Sequence, residues 1–348
     1  MHSRFLDWYR RQRAQQLMNF GRVAVIPAEK DAELTLRGTT DPEFPIHVMR
    51  DIYVAGLPAG MCRTLAPPFG IVKESVFYPH EPHEQRGMIK RFLRHDLRPV
   101  RARPLGDAMC LATFMSYNYF HWLIDTLPKV LAVEEVGFKG SYLVPPPPYA
   151  RQSLEFLGIS GSRIIEHDRE DFWRIERLFV TPPLDYDLHL RQPNLLARLR
   201  ARLRAALPKP AGRKRLYVSR NRPGITRDIV NEAELKALLG RFDFIEYFCE
   251  DHSIVDQLAA FAGTEAMIGS EGTSFANPLV MPEGALVMAL GSPLRFNTIG
   301  PLVSARVGQL KYYTVISHMP FDGSTYLYGS RVVADLPYIE TTLERELA

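Results

Sequence analysis

The sequence predicts an α/β protein of two domains, each a sheet with crossover helices. Three observations carry that prediction. Strand and helix signals alternate between about residues 109 and 181, and they alternate again, more cleanly, between 215 and 290. Between the two runs lies a seam from Pro182-Pro183 to Pro208-Lys209-Pro210, rich in proline and arginine. The boundary is placed at 207/208, giving an N-terminal α/β domain over 1–207 and a C-terminal Rossmann-like domain over 208–348. Two such units suggest a ligand cleft between them, beyond the carboxyl ends of the strands.

At 348 residues the chain suits two domains. Its 46% hydrophobic and 24% charged content excludes large-scale disorder. A net charge of +4 fits an anionic small substrate and is too small to argue for nucleic acid. Cys62, Cys110 and Cys249 are odd in number and widely spaced, which excludes a disulfide framework or CxxC metal knuckle and suits a reducing compartment. No apolar run approaches the ~20 residues of a membrane span.

The elements follow in order. Residues 1–20 read as a helix in which Arg4, Arg10, Arg11 and Arg13 are scattered among Phe5, Leu6, Trp8 and Tyr9, with no signal-peptide core. Such a helix can associate peripherally with an anionic membrane, although an ordinary solvated terminal helix is the simpler reading. A short strand is expected within 22–27, then turn-rich text with strands within 46–54 and 71–78 and helix formers at 85–95. The run 109–115 has the pattern of a buried strand and leads into a helix over 119–136 with apolar residues Phe120, Leu123, Ile124, Leu127, Leu131 and Val136. Pro128 should kink or restart that helix. Strands at 141–144, 163–166 and 175–181 and a helix at 151–157 complete this half. In the seam, a helix over 194–207 carries a leucine stripe and four arginines; a solvated or domain-bridging helix is favoured over a nucleic-acid binder. Strands are then expected at 215–219, 244–248, 266–269 and 285–290, helices at 231–239 and 253–262, and a turn with a helix at 272–280. A last helix over 336–347 is free to pack back on the N-terminal domain.

Several residues are placed where chemistry is done. Asn118, His121, Trp122 and Asp125 fall within about a turn and a half of helix, and His121 and Asp125 at i and i+4 share one face, while Trp122 reads as core. Ser219-Arg220-Asn221-Arg222, continuing to Thr226-Arg227, sets three arginines around a glycine-containing turn at a strand end, suited either to an anionic ligand or to an exposed basic loop. Asn231 and Glu234, and likewise Ser253 and Asp256, have the spacing of capping boxes. Gly269 to Asn277 brings small residues from a strand into a helix start, where backbone N–H groups can hold phosphate. Asp185-Tyr186-Asp187 is a DxD that chance readily supplies, and His80 and His83 lie in a turn-rich loop unsuited to a helical zinc site.

Taken together these motifs resemble glycosyltransferase family 61. Asn118-x-x-His121-Trp122-x-x-Asp125-x-x-Pro128 is similar to the family's first signature, and Ser219-Arg220 with Arg227 and Asn231-Glu232 to its second. Asp256-Gln257-Leu258-x-x-Phe261 and the turn Gly269 to Asn277, ending at Met281-Pro282-x-Gly284, are similar to its third. The resemblance implies a GT-B-like fold, two Rossmann-like domains facing a central cleft, and inverting transfer from a nucleotide-diphosphate sugar to a glycan acceptor. It implies that the C-terminal domain holds the donor without an essential metal or cofactor. It also implies a bacterial cytoplasmic enzyme of surface or capsular polysaccharide biosynthesis, peripheral to the inner membrane if the basic terminus engages it. His121 or Asp125 would be the general base, with Asn118 positioning a sugar. Donor binding would fall to Ser219, Arg220, Arg227, Asn231, Glu232, Glu271, Gly272, Thr273, Ser274 and Asn277. Asn231 and Glu232 would hold nucleoside or sugar, or merely cap the helix. The chain departs from the family turn in carrying Glu271 where a histidine is usual and Ser274 where a glycine is usual. A carboxylate there repels a diphosphate unless protonated or aimed at sugar hydroxyls. Two alternatives follow: a catalytically silent glycan- or nucleotide-binding protein of the same fold, and a metal-dependent transferase using Asp185 and Asp187. None of the motifs specifies an oligomeric state.

Overall fold

The computed structural model describes residues 25–26, 28–57, 61–66, 70–72, 102–113, 115–168, 170–182, 184, 194–222, 229–291, 299–316 and 332–348. The helices expected at 1–20 and 85–95, His80, His83, Asp185, Asp187 and Arg227 lie outside them. The chain divides into two compact units, Met1–Leu184 and Asp185–Ala348, so the division falls before the leucine-rich helix instead of after it.

The first unit is built on a nine-stranded sheet of order β1-β5-β4-β3-β9-β6-β7-β8, with β2 also pairing β3. The strands are β1 (Val25–Ile26), β2 (Leu34–Arg37), β3 (Pro45–Leu57), β4 (Met61–Ala66), β5 (Gly70–Val72), β6 (Arg103–Cys110), β7 (Ser141–Val144), β8 (Ile164–Glu166) and β9 (Phe172–Val180). The strands β9, β6, β7 and β8 form the expected parallel α/β portion. The long β3 runs antiparallel to β2, β4 and β9, so this unit is mixed and not doubly wound throughout. Along β9, Trp173 and Ile175 are buried while Arg174 and Glu176 face water, the alternation of a sheet covered on one side. Arg174 pairs with Asp51 at 2.8 Å on the neighbouring strand, and Arg177 pairs with Asp107 on the other side. The core collects Met49, Ile52, Ala108, Leu143, Trp173 and Leu178. The expected strand 109–115 instead ends at Cys110, because Leu111 and Ala112 both donate to the Leu143 carbonyl and turn the chain off the sheet.

His167, just past β8, is fully buried. Its Nδ1 accepts from the Trp173 indole N–H at 3.1 Å, so the imidazole is neutral with its proton on Nε2. Among the described residues that nitrogen has no partner. Burial pushes the imidazole down to about 4, partly offset by Asp171 and Asp168. The unfolded chain therefore binds a proton that the folded chain refuses between about pH 6.5 and 4. Stability is full above that window and is expected to fall by about 3 kcal/mol as the pH drops through it. Urea unfolding at pH 7.5 and pH 4.5 checks this, and His167→Gln should remove most of the difference between the two.

The second unit has a five-stranded, wholly parallel sheet of order β11-β10-β12-β13-β14. Its strands are β10 (Lys214–Val218), β11 (Phe244–Tyr247), β12 (Thr264–Ser270), β13 (Leu286–Gly291) and β14 (Lys311–Ile316). Numbered within the unit the order is 2-1-3-4-5, that of a doubly wound sheet. The central β12 and β13 are buried almost throughout, as strands covered on both faces must be. Gly269 belongs to this closeness, since a Cβ there would lie 2.7 Å from the Val218 carbonyl oxygen. The strand β14 and the helix Ile299–Gly308 extend the unit beyond the four strands expected.

Helices run through both units. In the first, α1 is Leu127–Glu135 and α2 is Pro148–Phe156; in the second, α3 is Asn194–Ala206, α4 is Glu232–Gly240, α5 is Ile254–Ala262, α6 is Ile299–Gly308 and α7 is Leu336–Leu347. The leucine stripe of α3 is buried at Leu195, Leu196, Leu199 and Leu203. Arg200 donates to the Met281 carbonyl at 3.1 Å and Arg204 to that of Val280. These carbonyls close the 3-10 helix Thr273–Val280, where a helix leaves its last acceptors unsatisfied. Two of the basic residues of α3 thus cap a neighbouring helix. The terminal α7 packs on α4 and sends Ile339 and Leu343 into the second unit's core.

Candidate active site

In the first unit the site is prepared by an irregular helix. After a 3-10 turn, Met115–Tyr117, Asn118 is extended and its side-chain oxygen accepts from the Phe120 N–H at 2.9 Å, opening the helical turn Tyr119–His121. The next five residues, Trp122–Thr126, form a π-turn, after which α1 begins. Pro128 explains the change of winding. It has no N–H to donate, and its ring would collide with the carbonyl four residues earlier. In the widened turn the Leu127 N–H reaches the Trp122 carbonyl and the Thr126 hydroxyl reaches that of His121 at 3.1 Å. The helix restarts at Leu127, with Pro128 in its first turn, in line with the expected kink or restart.

The π-turn brings residues four apart nearly into register, and His121 Nδ1 lies 2.5 Å from Asp125 Oδ2. Both side chains are mostly buried, at 13% and 12% exposed. With Nδ1–H donating to the carboxylate, Nε2 is left as the nitrogen that can accept a proton. Trp122 is core: it is fully buried and its indole N–H donates to Ser153 on α2 at 2.9 Å. Lys129, one turn beyond Asp125, escaped sequence reasoning. Burial pushes its ammonium down to about 8, and Asp125 acts in the opposite direction. The signal was present as a further step of four after His121 and Asp125.

In the second unit the strand order reverses between β10 and β12, and the crevice beyond the carboxyl ends of such strands is where doubly wound sheets bind ligands. Ser219 and Arg220 follow β10, and Glu271 to Ser274 follow β12. Arg220 crosses the gap: its Nη1 donates to the Glu271 carbonyl at 3.3 Å. The side chain passes so close to Gly272 that a Cβ there would sit 2.0 Å from Nη1. Thr273–Val280 then begins with N–H donors that have no earlier carbonyl within the helix to bond. One guanidinium and a helix start therefore share the switch point, an arrangement suited to anionic oxygens.

Residues 119–288 match the family model described as Glycosyltransferase 61. The matched segment belongs to glycosyltransferase family 61. It spans His121, Asp125, Lys129 and every predicted donor residue, from Ser219 to Asn277. No curated protein is similar enough to match the chain. The match supports reading the chain as a glycosyltransferase.

Four of the predicted donor residues, Ser219, Asn231, Glu232 and Asn277, are committed to protein partners. Glu232, buried at the start of α4, accepts from Tyr217 at 2.6 Å, from Ser219 at 3.0 Å and from the Asn221 amide. It thereby fixes the turn that carries Arg220. Asn231 makes no side-chain cap, contrary to the capping-box expectation. Its amide instead pairs with both backbone groups of Ala334, donating at 2.9 Å and accepting at 2.8 Å, and so ties the approach to α7. Asn277, fully buried, donates to Gln257 at 3.0 Å. Ser253 does cap α5, accepting from the Asp256 N–H at 3.2 Å. Arg222 is engaged too, held by Asp251 at 2.7 Å and lying 4.2 Å over the Phe248 ring. Among the described residues no three His, Cys, Asp or Glu side chains converge as metal ligands, and no helix is long and apolar enough to cross a membrane.

Proposed function

We propose that the chain is an inverting glycosyltransferase of GT-B type that moves a sugar from a nucleotide-diphosphate donor to a glycan acceptor, in bacterial surface or capsular polysaccharide assembly. The observation that carries this reading is the His121–Asp125 hydrogen bond on the π-turn, within the segment matched to the family. The acceptor hydroxyl attacks the anomeric carbon and its proton goes to His121 Nε2. The bond from that carbon to the diphosphate oxygen breaks, and the electron pair stays on phosphate. Asp125 orients the imidazole and stabilises the imidazolium as it forms. Asn118, exposed at the head of the helix, contacts a sugar hydroxyl. On the donor side Arg220 and the N–H groups of Gly272, Thr273 and Ser274 neutralise the departing diphosphate, so the reaction runs without an essential metal. Ser219, Asn231, Glu232 and Asn277 hold that loop system in shape, Glu271 meets donor hydroxyls, and Arg227 adds a second cation.

The test is a thermal-shift screen of the whole protein against nucleoside diphosphates and nucleotide sugars, with and without chelator. A ligand that binds only the folded state raises the melting temperature by mass action. One nucleoside diphosphate is expected to stabilise the protein, and chelator should leave the shift intact. A shift abolished by chelator would favour a metal-dependent reaction. A second reading, a silent binding protein, is favoured by Glu271, a carboxylate-bearing residue in the turn given to the diphosphate, which such a charge would repel. Slow hydrolysis of the donor in the absence of acceptor would exclude it.

A further inference from the structure

The turn that carries Arg220 is held by a buried carboxylate. Glu232 opens α4, and its Oε1 accepts from the Tyr217 hydroxyl at 2.6 Å and from Ser219 at 3.0 Å, while its Oε2 accepts from the Asn221 amide. Burial, and next Glu232 itself, hold the Tyr217 phenol well above its usual range, so all three of these donors are neutral. Neutral donors offset only part of the cost of taking a full charge out of water. The remaining contact is ionic. Lys236 Nζ lies 3.7 Å from Oε1, and among the described residues it is the cation that meets Glu232.

Lys236 follows Glu232 by one helical turn, with the glutamate N-terminal, the favoured order for such a pair. Its ammonium is fixed from outside the helix. Glu246 on β11 takes it at 2.7 Å, and Glu246 stands opposite Tyr217 in the β10–β11 ladder. Tyr217 in turn packs in one core cluster with Leu235 and Leu238 of α4. One ammonium therefore joins a half-exposed carboxylate on the strand to a buried one on the helix, their side chains being 34% and 8% exposed. A fully exposed pair at this helical spacing contributes little. Here one partner is out of water, where loss of the counter-charge leaves a buried carboxylate uncompensated.

We propose that Lys236 is a positioning residue for donor binding: clamped by Glu246, it compensates the charge of Glu232, which sets Ser219 and Asn221 on either side of Arg220. The proposal rests on Arg220 meeting the diphosphate, as in the reading above. Lys236 acts through Glu232, and no bond forms or breaks at it. Without the ammonium the two carboxylates that shared it lose their counter-charge, and Glu232 gains by turning towards water. Its three donors are then released. The guanidinium of Arg220 loses the fixed turn from which it reaches the Glu271 carbonyl.

The experiment compares full-length wild type with Lys236→Met, Lys236→Gln and Lys236→Arg, each also combined with Arg220→Ala. Without ligand, hydrogen exchange is followed at the turn, where the Ser219 N–H donates to the Tyr247 carbonyl at 3.1 Å and the Arg222 N–H to that of Arg220 at 2.9 Å. Exchange there is expected to quicken about tenfold in Lys236→Met and Lys236→Gln and to return towards wild type in Lys236→Arg, with β13 unchanged. With a nucleoside diphosphate as ligand, calorimetry should show affinity about five- to tenfold weaker in the uncharged variants and restored by arginine. In the Arg220→Ala background the same substitutions should change affinity by less than about twofold, because the turn no longer presents a guanidinium. A merely structural lysine would lower the melting temperature, quicken exchange in β13 as well, and weaken binding equally in both backgrounds. Unchanged exchange at the turn in folded Lys236→Met and Lys236→Gln, or equal losses in both backgrounds, overturns the proposal. Absence of nucleoside-diphosphate binding by the wild type would count against the functional reading, and is read separately from the exchange, which needs no ligand.

Discussion

Replacing His121 by alanine is expected to lower kcat by roughly 10²- to 10⁴-fold while donor affinity stays within about twofold. The size follows from the role: without Nε2 no positioned group takes the acceptor proton as the new glycosidic bond forms. Donor affinity is spared because the residues given to the diphosphate lie in the second unit, on other strands. Transfer rates at saturating donor, with calorimetric titration of the same variant, give both quantities. Asp125→Asn separates the two candidate bases. If Asp125 only orients the imidazole, the loss is smaller than that in His121→Ala. If Asp125 takes the proton itself, the order reverses. Transfer at the wild-type rate by folded His121→Ala would remove the helix from the chemistry altogether.

Arg220→Ala should weaken binding of a nucleoside diphosphate by roughly 10- to 100-fold, the worth of about 1.5–3 kcal/mol for hydrogen bonds to a charged group. Arg220 is placed for this by its turn: Glu232 pins Ser219 and Asn221 on either side of it, and Gly272 leaves room for the guanidinium to cross from β10 to β12. Lysine restores the charge but not the planar fork, so Arg220→Lys is expected to recover only part of the affinity. Arg222→Ala is the control. That side chain is already paired with Asp251 and laid over Phe248, and its removal should change affinity little. Equal losses in the two variants would point to a general basic loop, and no loss in Arg220→Ala would take the diphosphate away from the switch point.

These expectations draw unequally on sequence and structure. The face shared by His121 and Asp125 was legible because helical spacing alone determines which side chains align. The break at Pro128 was legible because a missing N–H is a property of the residue itself. That the break takes the form of a π-turn, closing the histidine–aspartate distance to 2.5 Å, appears only in the folded helix. Lys129 could be counted from the same spacing. What makes it notable is its partial burial with no bonded partner among the described residues, and burial depends on what packs against α1.

The sequence by itself determined the parallel α/β character of the second unit, the strand Ser141–Val144, the helix Leu336–Leu347, the core position of Trp122 and the grouping of site residues at strand ends. Each rests on local chemistry: apolar periodicity, capping, or proline geometry. Tertiary structure alone decided the antiparallel flank of the first unit, where β3 meets β9, residues more than a hundred positions away. It decided that Asn231 clamps Ala334 in preference to capping α4, and that arginines of α3 close the carbonyl end of a 3-10 helix. Periodicity reports which face of an element is buried. It carries no record of which distant backbone or side chain will satisfy a given donor, and that choice is made only when the sheets assemble.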